Sequence, residues 1–82
     1  MAKENEKEIR RIKNAITKVE SDIERLEGEI AAWDTKLANP EEHGIDITDA
    51  SVFATYNELK KQLDHQMHEW EKLNYELDIV TN

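Results

Sequence analysis

The chain has 82 residues, 38% of them hydrophobic and 37% charged, with two glycines, one proline, no cysteine and a formal net charge of -8. Without cysteine there is no disulfide framework and no thiolate metal site, and the length allows one small domain, residues 1–82, whose burial is linear rather than globular. No apolar run approaches the roughly 18 residues a membrane span needs, and the N-terminus is charged rather than signal-like, so a soluble, cytoplasmic protein with no membrane partner is expected.

The first element predicted is a helix over about residues 3–38. Its large apolar residues are Ile9, Ile12, Ile16, Val19, Ile23, Leu26, Ile30, Trp33 and Leu37. Their spacing alternates three and four throughout, the heptad of a coiled-coil seam with Ile9 at an a position. Gly28 falls on the outer face, where it costs about 1 kcal/mol relative to alanine but cannot end so regular a pattern.

The stop comes at Asn39-Pro40, because proline disfavours helical geometry in the residue before it and lacks a backbone donor. Within the loop of residues 39–48, Asn39 is positioned to cap a fresh turn with Pro40 first and Glu42 third, and Gly44 to end it. One short helical turn is therefore expected in the connection. Ile45 and Ile47 are expected to fold over the hairpin end, and Thr48 or Asp49 to cap the next helix.

The second helix, about residues 49–80, repeats the pattern at Val52, Tyr56, Leu59, Leu63, Gln66, Trp70, Leu73, Leu77 and Val80, with Gln66 the one polar member. A reversing loop makes the two helices antiparallel, and one register then satisfies every layer. Leu37 faces Val52, Trp33 faces Tyr56, and so on to Ile9 and Val80, each pair of numbers summing to 89. The fold expected is all-α, an antiparallel two-helix coiled-coil hairpin with a short helical turn in its loop. Across the flanks, Glu27 would face Lys60 favourably and Asp22 would face Glu69 unfavourably. Phe53 and Met67 widen the apolar stripe of the second helix.

Charge is uneven. Residues 1–38 carry eight basic and nine acidic groups, residues 39–50 four acids and no base, and residues 51–82 three basic and six acidic groups. The loop end would repel phosphate. The one cationic cluster is Lys7, Arg10, Arg11, Lys13 and Lys18 at the other end, and it is the candidate nucleic-acid contact.

Other constellations read more simply as structure. Trp33, Tyr56 and Trp70 occupy seam positions in an acidic setting, which favours packing over base stacking. His65 and His68 fall at outer positions c and f without a third ligand, so no metal site is assigned. A two-helix hairpin offers its carboxylates no walled cavity, and there is no phosphate loop or nucleophile triad, so no catalytic or cofactor-binding residue is assigned either.

The stretches Ile23-Glu24-Arg25-Leu26-Glu27-Gly28-Glu29-Ile30, Leu37-Ala38-Asn39-Pro40-Glu41 and Met67-His68-Glu69-Trp70-Glu71-Lys72-Leu73 resemble the C-terminal coiled-coil domain of ABC-F proteins, including Uup-like members. The resemblance covers about residues 9–78, and its specific parts are the Asn39-Pro40-Glu41 turn and Trp70-Glu71-Lys72-Leu73. It implies a noncatalytic interaction or regulatory module of a soluble ATPase. The parent would carry two cassettes that bind ATP and magnesium, and its partners would be the ribosome, nucleic acid or its own ATPase domains. Uup-like hairpins are associated with DNA binding, against which the charge of -8 leaves only the cluster from Lys7 to Lys18. The alternative is a structural coiled coil that pairs into a homodimeric four-helix bundle through Phe53 and Met67.

Overall fold

The computed structural model describes the backbone of residues 2–81 and the side chains of residues 5–81. Two helices, α1 (Ala2–Ala38) and α2 (Ala50–Thr81), pack along each other in a rod of 61 × 17 × 15 Å. Each helix is long because no proline interrupts its heptads. Neither could hide its apolar stripe alone, so packing against the other supplies most of the stability of both.

The chain reverses through backbone closure. The Ile45 N–H donates to the Pro40 carbonyl at 2.8 Å and the Gly44 N–H to the Glu41 carbonyl at 3.4 Å. This is the Schellman pattern of a helix end, with Gly44 in the left-handed region at φ 65°. The single turn expected at Pro40 is there, held by these backbone bonds rather than by a box between Asn39 and Glu42. Next, the Asp46 carboxylate accepts from the Thr48 N–H at 2.9 Å, and the Asp49 carboxylate accepts from the Ser51 N–H at 2.9 Å. Asp49, not Thr48, is therefore the cap of α2, and two of the four loop acids have structural work. Ile45 is partly covered, whereas Ile47 remains 55% exposed and does not fold over the end as expected.

Two hydrogen bonds between the helices fix the register. The Tyr56 hydroxyl donates to the Asp34 carboxylate, beside the Trp33 layer, and the Trp70 indole N–H donates to Glu20 Oε2 at 3.1 Å, beside the Val19 layer. The two bonds stand two heptads apart on both helices, so the pairing inferred from the seam keeps step between them. A slip by one heptad would carry each partner about 10 Å along the axis and break both.

Burial is concentrated in four residues of α1. Ile12 and Leu26 are 1% exposed, Ile30 8% and Ile16 9%. In the register above, these four face Leu77, Leu63, Leu59 and Leu73. The best-buried part of the seam is thus two aliphatic blocks, one near the chain ends and one toward the loop, separated by the Val19/Trp70 and Ile23/Gln66 layers. Trp33 and Tyr56 are half-buried as expected of seam residues, but Trp70 is 38% exposed. Lys60 does not pair with Glu27. Its Nζ lies 4.8 Å from the Tyr56 ring centroid, while Lys36 Nζ lies 5.2 Å from that of Trp33. The aromatic layer nearest the loop is thereby covered by lysine stems and their charges.

Candidate functional site

All five cations of the predicted nucleic-acid contact lie on α1, spread over about 17 Å of helix between Lys7 and Lys18. The heptad sets Lys7, Arg11 and Lys18 along the outer face and turns Arg10 and Lys13 toward one flank. Arg10 and Lys13 border a shallow depression with Glu6, Ile9 and Asn14. Arg11 Nε donates to Glu8 Oε2 at 3.2 Å, and Lys18 Nζ lies 3.8 Å from Asp22 Oδ2. The hydrogen bond from Arg11 holds the Glu8 carboxyl below its usual range, and the same bond, reinforced by the charge of Glu8, raises Arg11. Both pairs are solvent-exposed and weak, so a phosphate could displace either carboxylate. Among the described side chains Lys7, Arg10 and Lys13 have no ion-pair partner and are the cations most readily offered.

The histidines go to different neighbours. His65 lines a depression beside Leu26, Gln62 and Gln66, whereas His68 Nδ1 sits 2.8 Å from the Asp64 carbonyl oxygen and 3.6 Å from the Asp64 carboxylate. His43 lies exposed in the loop. Among the described residues no cluster of three or more His, Cys, Asp or Glu could hold a metal ion. Among the described residues no helix is long and apolar enough to cross a membrane.

Between the two aliphatic blocks the flank of the hairpin opens into a groove of about 360 Å³, lined by Glu20, Ile23, Glu24, Glu27, Met67, Trp70 and Glu71. Its origin is legible in the seam. Gln66, where α2 lacks an apolar residue, lines the depression on the opposite flank. Ile23 is left without an aliphatic partner and stays half-buried beside Met67 and Trp70. The Trp70 ring is tethered at its nitrogen by Glu20, with part of its surface toward solvent. This groove was not among the expected sites. The heptad places Met67 beside the stripe and Trp70 within the seam, and the signal for an opening is the polar Gln66 four residues before Trp70.

Residues 3–75 match the family described as the ABC transporter C-terminal domain. No curated protein and no solved structure matches the chain. The matched stretch includes the five cations, the Asn39-Pro40 reversal, the four buried residues of α1 and every residue of the groove. The chain therefore belongs to the ABC transporter C-terminal domain family.

Proposed function

We propose that this chain is the noncatalytic C-terminal interaction module of a cytoplasmic, Uup-like ABC-F ATPase, and that its cationic end contacts nucleic acid, on the ribosome or as DNA. The observation that carries the reading is the family match over residues 3–75. The Asn39-Pro40-Glu41 turn and Trp70-Glu71-Lys72-Leu73 narrow it toward ABC-F. ATP and magnesium belong to the parent's cassettes, which this module would position or regulate. Charge supports the choice of end. Lys7, Arg10, Arg11, Lys13 and Lys18 stand at one end of a 61 Å rod, with Glu41, Glu42, Asp46 and Asp49 at the other.

Titration of ribosomal RNA and of duplex DNA at two salt concentrations tests this reading, with Arg10→Glu/Arg11→Glu as the comparison. Affinity should fall as salt rises, and the double variant should bind more weakly with a shallower salt dependence, because fewer counterions are displaced. Binding indifferent to both salt and charge reversal would remove the phosphate contact. The homodimeric bundle is less favoured because Lys60 stands on the same flank between Phe53 and Met67. A monomer in sedimentation equilibrium at high micromolar concentration would exclude it.

A further inference from the structure

We propose that the groove between the aliphatic blocks docks a cationic polypeptide segment of another protein. The segment seats an apolar side chain on Ile23, Met67 and Trp70 and sets arginines or lysines against Glu20, Glu24, Glu27 and Glu71.

The floor is apolar and open. Trp70 is 38% and Met67 42% exposed, and tryptophan and methionine are among the residues most enriched where proteins meet partners. The chain has a means of covering such rings, since Lys36 and Lys60 lie over Trp33 and Tyr56, yet no lysine or arginine lines this groove.

The rim specifies the charge of the occupant. Glu20, Glu24 and Glu27 follow one another at spacings of four and three on α1, and Glu71 closes the rim from α2. Among the described carboxylates only Glu8, Asp22 and Glu29 have a lysine or arginine at ion-pair distance, and the four rim glutamates are among those that have none. Like charges at these helical spacings are mildly destabilising. An incoming guanidinium or ammonium relieves that repulsion, and a guanidinium can also stack on the Trp70 face. Phosphate would be repelled, so nucleic acid does not fit here. The axial span from Glu20 to Glu27, about 10 Å, suits a short segment rather than a whole domain surface.

The test uses the whole chain, labelled with nitrogen-15, and follows the two indole N–H resonances of Trp33 and Trp70. The probe is a synthetic peptide of about twelve residues in which arginines flank two leucines. The Trp70 signal should shift and saturate while that of Trp33 stays in place, and affinity should fall at high salt. Replacing the leucines by serine, or the arginines by glutamate, should abolish saturation. Glu24→Lys/Glu71→Lys, at two exposed positions, should weaken binding about tenfold with the Trp33 signal and helicity unchanged. Arg10→Glu/Arg11→Glu should leave peptide binding unaltered, which separates this site from the cationic end. Equal binding of the serine peptide, equal binding by the groove variant, or shifts outside the groove would overturn the proposal. So would a dimer formed through Trp70 in the absence of peptide, which would give the groove to a second copy.

Discussion

Within one continuous heptad seam, Ile12, Ile16, Leu26 and Ile30 of α1 are buried, whereas Val19 and Ile23 are only half-buried. On α1 the two kinds of layer look alike, since branched aliphatic residues run through both. The difference lies across the interface. Leucines of α2, themselves half-buried, face the buried residues in the register above, and Trp70 and Gln66 face the others. A leucine fills the space between two helices and excludes water, while an indole held at its nitrogen by Glu20 leaves part of its ring at the surface, and an amide side chain turns to the far flank. The face of a helix is thus set by its own periodicity, but its burial is set layer by layer by the partner.

The comparison is broken most severely by truncation within a well-buried block. Leu26→Ala should cost about 2–5 kcal/mol, because it removes a side chain that is 1% exposed and leaves a cavity the rigid seam cannot close. Ile23→Ala, in the open middle, should cost only about 1 kcal/mol, since the site is already wet and little cavity remains to be made. Chemical denaturation of both variants checks the pair. Equal losses would mean that the seam is uniform and the division into blocks has no energetic content. The converse change, Gln66→Leu, should convert the middle into a third well-buried block and raise stability by about 1 kcal/mol, read as a higher denaturation midpoint. It should also draw Ile23 out of the groove and so weaken the cationic peptide, linking the stability of the middle layers to what they expose.

The hairpin was legible in the sequence because each of its signals is local or strictly periodic. Proline at 40 stops α1, Gly44 supplies the left-handed turn, Asp49 caps α2, and alternate spacings of three and four align the two seams. Less legible was anything that depends on which way a side chain leans. Ile47 and Ile45 have the same chemistry and nearly the same position, yet only Ile45 is drawn in, because its N–H closes the turn on Pro40. The register sets Lys60 opposite Glu27, yet its ammonium lies over the Tyr56 ring. The groove depends on side-chain packing in the same way. Its glutamates lie on the exposed side of an ordinary heptad, and only the packing of Ile23, Met67 and Trp70 shows that they surround an open apolar floor.

The smallest effect expected belongs to the outer face of α2, where the quality of the seam should not matter. Hydrogen bonding of His68 to the Asp64 carbonyl, aided by the charge of the Asp64 carboxylate and more weakly by that of Glu71, raises the imidazole above its ordinary pKa of 6.5. Folding then favours the protonated ring. The stability it contributes is fully present below the unfolded pKa and is lost as pH rises through the higher folded value. Thermal unfolding should accordingly show a slight decline in midpoint from about pH 6 to about pH 8 that His68→Gln abolishes and His65→Gln does not. The same decline should appear in the Gln66→Leu background, because the ring lies outside the seam and distant effects add. In Glu71→Lys it should shrink, since the rim carboxylate that contributes to the field on His68 is then replaced by a cation. A decline that vanished in Gln66→Leu but survived Glu71→Lys would place His68 under the control of the seam, and the separation between inner layers and outer face would have to be given up.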